Sequence, residues 1–389
     1  MFLASRSEFS RARIAVTITF ILNGIAVGSF ISRIPDFKLT LHLSNSVLGN
    51  SLFFSSIGVL TALGPAGRQA AKRGSSPVVY ASTLALGIAL PFMGTLINLP
   101  FLWFSFFIFG FTLASQDVSM NAHAVTLEQK SERRMMSVFH GMWSLGSLIG
   151  GGIGGLMAQL KVKPLIHLFV IALIIFILGI VLKPLFLPAN VDQHTWTSGK
   201  KSKRPKTFWI LGLLGLCAAI GEGSAGDWGG VLARDTFHAS PFLATIPYVL
   251  FATTMVLGRF SGDYLAHRLG VMKILSISGI FGGVGLAVGL LIGNIWGEIF
   301  GWLLLGLGVS VVIPLMFSAA GELATKKFSG VISPAEAVAM VSGITYFGFV
   351  FGPPMIGAVA DQITLRWAML IPAALAILFS IGSKFTIKE

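Results

Sequence analysis

The sequence predicts an all-α integral membrane protein, with twelve transmembrane helices in two pseudo-symmetric six-helix bundles. Three observations predict it. The 389 residues are 54% hydrophobic and only 11% charged, with a mean hydropathy of +0.83. A soluble domain carries about 25% charged residues. Residues 74–116, 274–297 and 299–321 contain no Lys, Arg, Asp or Glu, and about 20 apolar residues carry a helix across a bilayer. Finally, the halves repeat. Gly141, Gly146, Gly150 and Gly155 match Gly343, Gly348, Gly352 and Gly357 at an offset of 202, and "GRQAAKRG" (67–74) matches "DYLAHRLG" (263–270) at an offset of 196.

The spans follow in order. Span one covers 12–32. Arg6, Arg11 and Arg13 precede it and resemble the basic start of a signal peptide, but no small-residue cleavage pattern follows, so it reads as a span. Asn23 falls near its mid-depth. Arg33, Pro35 and Asp36 close its outer end, where Arg33 is a candidate gate through a salt bridge. The favoured reading there is an ordinary exposed loop charge, because exposed pairs contribute little. Spans two to six cover 47–66, 76–97, 99–125, 135–159 and 164–186. Span five reads "HGMWSLGSLIGGGIGG" over 140–155. Glycine costs a helix roughly 1 kcal/mol relative to alanine. In lipid, however, helices associate by close packing, and small residues let backbones approach. Gly146, Gly150 and Gly154 recur at i, i+4, i+8 on one face, so helix contact offsets their cost.

The stretch "PANVDQHTWTSGKKSKRPK" (188–206) is the one long polar connection and reads as a solvated basic linker on the cytoplasmic side. It separates an N-terminal bundle, 1–187, from a C-terminal bundle, 207–389. Spans seven to twelve cover 207–231, 241–261, 271–293, 297–320, 336–358 and 366–384. Only six of the 28 basic residues fall on the outer side (Arg33, Lys38, Lys161, Lys163, Arg234 and Arg366), leaving 22 inside. This places both termini in the cytoplasm. The same distribution explains the net charge of +13 as a topology signal. The implied surroundings are a lipid bilayer, and nucleic acid is not a partner. Cys217 is the single cysteine, a small packing residue in an apolar run.

Titratable residues inside spans are costly and mark function. The short list is Asp117, His123, His140, Glu222 and Asp227. Measured from the hairpin centre near residue 130, Asp117 and His140 lie roughly 20 and 15 Å along their helices, close enough in depth to interact. Asn121, four residues after Asp117, shares its face. His123 lies nearer the cytoplasmic surface and reads as interfacial. Glu222 is near the middle of span seven and is the better proton carrier. Asp227 lies about 140° around the same helix, toward the outer mouth with Trp228. Aromatic candidates for solute contact are Trp143, Trp228, Tyr248 and Tyr346. No HExxH metal helix, GxSxG elbow or cofactor motif occurs, so neither a metal, a cofactor nor an enzyme is expected.

Several stretches carry a family resemblance over nearly the whole chain. "GRQAAKRGSS" and "GDYLAHRLGVMK" resemble the signature that the major facilitator superfamily carries after its second and eighth spans. Ala71 and His267 stand where that signature has aspartate, while Lys72 and Arg268 keep the basic position. "GSLIGGGIGG" and "GFVFGPPMIG" resemble its glycine-rich fifth-span motif, which is associated with exporters, though not exclusively. "SRIP", "QDVSMNAHAVTLE", "FHGMWSLG" and "GEGSAGDW" resemble the MosC-like branch. The resemblance implies a monomeric transporter of the bacterial inner membrane, with spans one, four, seven and ten lining a midplane cavity. From their place and chemistry inside the spans, substrate contacts are expected from Asn23, Asp117, Asn121, His140, Trp143, Tyr248 and Tyr346, and proton coupling through Glu222 and Asp117. Gating falls to Arg33, Asp227, Lys72, Arg73, His267 and Arg268. The expected function is proton-coupled movement of a small polar solute, sugar-, polyol- or metabolite-like. The alternative is efflux of amphipathic compounds or drugs.

Overall fold

The structure is a computed structural model that describes residues 6–131, 135–193, 205–329, 331–332 and 334–386. Among the described residues all regular structure is helical. The first six helices are α1 (Arg6–Thr40), α2 (Asn45–Arg73), α3 (Ser75–Thr95), α4 (Leu99–Ser131), α5 (Met136–Gln159) and α6 (Pro164–Leu182). After the connection come α7 (Lys206–Asp235), α8 (Ile246–Leu269), α9 (Val271–Ile292), α10 (Ile295–Val309) and α11 (Val312–Lys326). The chain ends with α12 (Pro334–Ile363), α13 (Leu365–Ala368) and α14 (Leu370–Thr386).

Eleven helical segments among the described residues are long and apolar enough to cross a membrane. The remaining expected span, α5, has 24 residues. At 1.5 Å per residue it reaches about 36 Å, beyond the roughly 30 Å of a hydrocarbon core. Its glycines dilute its apolar character without shortening it.

Two expected spans are interrupted. The tenth divides into α10 and α11 around Ser310 and Val311. Pro314 explains the break, since a proline ring clashes with the carbonyl four residues earlier, here that of Ser310. The twelfth divides at Met369, with Pro372 in the same relation to Ala368. Neither interruption is read from hydropathy alone.

The chain forms two compact units, Met1–Leu43 with Ser51–Ser198, and Ser44–Asn50 with Gly199–Glu389. In the first, a core of Val16, Phe20, Val79, Met120, Leu127 and Phe139 closes one end of α1, α3, α4 and α5, with Leu187 packed into it. In the second, Phe208, Leu211, Leu275, Val312, Met316 and Phe379 form the larger core.

The glycine repeat has a packing explanation in each unit. In the first, a Cβ on Gly146 or Gly150 would collide with the carbonyl oxygen of Ile21 or Ile25, and one on Gly24 or Gly28 with that of Trp143 or Ser147. Helices α1 and α5 therefore touch backbone to backbone. In the second unit α7 and α12 make the matching pair. Gly348 faces the Leu216 carbonyl, and Gly215 faces the Thr345 hydroxyl. The signature glycines Gly74 and Gly270 also match, with φ of +84° and +83°. That region of backbone space disfavours any residue with a Cβ.

Candidate functional site

The first unit holds a continuous hydrogen-bonded chain across four helices. Trp143 on α5 donates its indole N–H to Asn23 Oδ1 on α1 at 2.8 Å. Asn23 Nδ2 donates to Gln116 Oε1 on α4 at 2.9 Å. Gln116 Nε2 donates to Thr83 Oγ1 on α3 at 2.7 Å, and that hydroxyl donates to the Val79 carbonyl at 2.7 Å. Asn23 is only 2% exposed. It is an enclosed strut here, because in an apolar surround its amide needs partners and the protein supplies them. Its effect on the site runs through Trp143. The indole N–H points into the protein, so the half-buried ring offers a π face and an apolar edge.

Asp117 lies next to Gln116 in sequence and is half-buried. Asn121 Nδ2 donates to its Oδ1 at 3.1 Å and to its backbone carbonyl at 2.8 Å. The shared face expected from the i, i+4 spacing is thus realised as a carboxylate–amide pair. His140 is exposed, and its ring stands edge-on to Phe20 at 5.4 Å.

Arg33 departs from its favoured reading. It is 1% exposed rather than an open loop charge. Its Nη1 pairs with Asp36 Oδ2 at 2.6 Å, and its Nε donates to His167 Nδ1 on α6 at 3.1 Å. A guanidinium taken out of water requires such partners. The sequence signal for His167 was weak, because the residue sits in a run otherwise read as an apolar span.

At the other end of this unit the linker is partly docked. Asp192 accepts from the Ser75 backbone N–H at 3.1 Å and from the Ser75 hydroxyl, while Thr126 Oγ1 donates to it at 3.4 Å. Ser75 begins α3, where unpaired N–H groups favour an anion. His123 is enclosed at this end of the unit. Its Nδ1 is 2.7 Å from Ser75 Oγ, and its Nε2 accepts from the Leu187 N–H at 3.2 Å. Gln193 Nε2 donates to the Arg73 carbonyl at 3.1 Å. The expected free linker therefore begins later than residue 188. Its residues 194–204 lie outside the described residues. Lys72 and Arg73 are exposed at the end of α2.

In the second unit Glu222 on α7 is half of an ion pair, with Arg259 Nη2 on α8 at 3.0 Å. It was expected as a proton carrier. Asp227 and Tyr248 are half-buried. Trp228 is fully buried, which removes it from direct solute contact in this structure. Tyr346 on α12 is 47% exposed, with its ring 6.2 Å from Phe349. Arg268 is exposed, and the side chain of His267 lies outside the described residues. Glu298 was not among the expected residues, although it is the one charged residue between Lys273 and Glu322. It is wholly buried on α10, and its Oε1 accepts from Trp302 Nε1 at 3.2 Å. Among the described residues no group of His, Cys, Asp and Glu is arranged to hold a metal ion.

These features, two helical units with matched glycine seams and buried polar groups inside long apolar helices, define a polytopic membrane transporter fold. The family model of the Major Facilitator Superfamily matches residues 16–334 and 230–387, and the chain belongs to that family. It is 28% identical over 370 residues to the uncharacterised transporter y4wD of Sinorhizobium fredii, covering 94% of this chain and 96% of that one. It is 27% identical over 376 residues to the membrane protein MosC of Rhizobium meliloti, covering 95% and 89%. Among solved structures, that of the nucleoside transporter NupG superposes with a TM-score of 0.78 at 16% identity, covering 97% of this chain and 99% of that one. The chain is therefore a multi-pass membrane transporter of the MosC-like kind, and not an enzyme.

Proposed function

We propose that the protein is a proton-coupled secondary transporter of a small polar solute, sugar-, polyol- or metabolite-like. We place it in the bacterial inner membrane as a monomer with both termini in the cytoplasm. Its two six-helix bundles, 1–187 and 207–389, joined by the linker 188–206, alternate access. The observation that carries this reading is the Asp117–Asn121 pair on α4. With both Asn121 amide hydrogens held by Asp117, the pair presents acceptors on one face of a membrane helix, Asn121 Oδ1 and the second carboxyl oxygen, which suits the hydroxyl donors of a polar solute. Trp143 complements them. With its N–H bound to Asn23 and part of its ring packed on the first unit's core, the exposed part of the ring is left to stack on the apolar face of a sugar or a heterocycle.

The alternative, an exporter of amphipathic compounds, drew its support from the glycine-rich α5. Contact with α1 accounts for Gly146, Gly150 and Gly154, which makes the polar pair the stronger indicator. The proton role falls to Asp117 in preference to Glu222, whose charge is already matched by Arg259. The remaining gating and contact assignments, Asp227, Lys72, Arg73, His267, Arg268, His140, Tyr248 and Tyr346, belong to the same proposal.

A thermal-stability screen of the purified protein tests the solute class, since a ligand that binds only the folded state raises its melting temperature. The panel holds sugars, polyols, nucleosides, amino acids, organic acids and lipophilic cations. The proposal expects a polar hit that is lost in Asp117→Asn. Stabilisation by lipophilic cations alone supports the exporter instead.

A further inference from the structure

Arg259 on α8 is the one charged residue in the apolar stretch Leu243–Ser261. It lies about 20 Å along α8 from Ile246 and about 15 Å from Leu269, and Glu222 lies about 24 Å along α7 from Lys206. Charged side chains at such depth face water or the protein interior, not lipid. The Arg259 side chain is 43% exposed and that of Glu222 23%. The exposed apolar residues Leu257 and Phe260 sit about 160° and 100° around α8 from Arg259. The lipid-facing side of the helix therefore lies elsewhere, and the ion pair meets water. Ion pairs this exposed add little stability, so stability alone does not explain carrying two charges into a span.

The pair uses little of its bonding capacity. Arg259 Nη2 donates one hydrogen to Glu222 Oε1 at 3.0 Å. Among the described residues neither side chain makes another hydrogen bond. Nη2 keeps its second hydrogen, and Oε1 keeps a second lone pair. Because these two atoms touch, a free donor and a free acceptor stand side by side. Two hydroxyls on neighbouring carbons match that arrangement, one accepting from Arg259 and the other donating to Glu222. The pair carries no net charge. A carboxylate drawn to Arg259 is repelled by Glu222, and an ammonium group meets the reverse.

We propose that the Glu222–Arg259 pair is a binding subsite for a vicinal diol of an uncharged solute, with Arg259 donating to one hydroxyl and Glu222 accepting from its neighbour. This rests on the reading of the cargo as a small polar solute and narrows it to neutral compounds with adjacent hydroxyls. The subsite belongs wholly to the second unit, and the proton stays with Asp117.

The test is thermal unfolding of the full-length protein in detergent. The probes are D-glucose, D-ribose, myo-inositol and adenosine, each beside its singly deoxygenated forms, with gluconate as a carboxylate counterpart. A probe that raises the melting temperature is expected to lose affinity about tenfold or more when either hydroxyl of one adjacent pair is removed. The double variant Glu222→Leu with Arg259→Met, which leaves no unpaired charge, should bind parent and deoxygenated probes alike. Glu222→Gln leaves Arg259 unmatched and should shift the preference toward gluconate. If the double variant does not fold, Glu222→Gln decides. A purely structural pair would lower the melting temperature of the ligand-free variants and leave these preferences intact, and that result overturns the proposal. So does native binding that survives every single deoxygenation unchanged, or no increment from any of these probes. Stabilisation of the native protein by lipophilic cations alone overturns the solute reading as well.

Discussion

At the scale of single residues, roles are set by which hydrogen-bonding atoms the protein leaves unused. Asn23 shows this most plainly. Replacing it with Leu removes the partner of the Trp143 N–H and of the Gln116 carbonyl oxygen. Each buried group left without a partner costs about 1–3 kcal/mol. We expect Asn23→Leu to lower the melting temperature and to weaken solute affinity through a displaced Trp143. Trp143→Phe, which keeps an aromatic face, should retain solute binding better than Trp143→Ala. Isothermal titration with the solute found in the screen measures both. Much of this was legible in the sequence, since the polar residues inside spans were visible and Asn121 followed Asp117 by one turn. The partners were not. Nothing in the residue order says that Gln116 rather than Asp117 faces Asn23, or that Arg259 reaches Glu222. Those facts depend on helix rotation, which periodicity does not fix in a helix that is apolar nearly all round.

At the scale of elements, the glycine seams make a sharper prediction than the repeat that revealed them. Gly150 and Gly352 occupy matched positions, yet their surroundings differ. A Cβ on Gly150 would overlap the Ile25 carbonyl, whereas one on Gly352 would rest 3.7 Å from the Ile220 side chain, an ordinary contact. Gly150→Ala must push α1 and α5 apart, and overpacking of that kind costs about 1–3 kcal/mol. Gly352→Ala should be neutral or stabilising by up to about 1 kcal/mol, since alanine is the better helix former. Differential scanning fluorimetry of the two variants separates them, and equal losses in both would contradict the backbone-contact account of α5. The sequence showed the glycine face but not its neighbour. Nor did it show the breaks at Ser310 and Met369, where a proline acts on a carbonyl one turn back rather than at its own position.

At the scale of the whole molecule, the class of fold was readable because a bilayer leaves few alternatives. A chain with so few charges and so many uncharged runs satisfies its backbone as helices. The distribution of basic residues predicts that reporter fusions at both termini report a cytoplasmic location. An outer-side location for either terminus would reverse the assignment of every loop. What composition leaves open is the cargo, since that is chosen by a handful of side chains on a shared scaffold.

The central claim is that solute and proton move together through Asp117. The direct measurement is proton flux, followed with a pH-sensitive dye trapped in proteoliposomes, while the solute identified by the screen runs down its own gradient. The account predicts that the native protein moves protons with the solute. It also predicts that Asp117→Asn still exchanges labelled for unlabelled solute, with proton movement reduced at least about tenfold, a change of about 1.4 kcal/mol in coupling. Proton flux of native size in Asp117→Asn would contradict it.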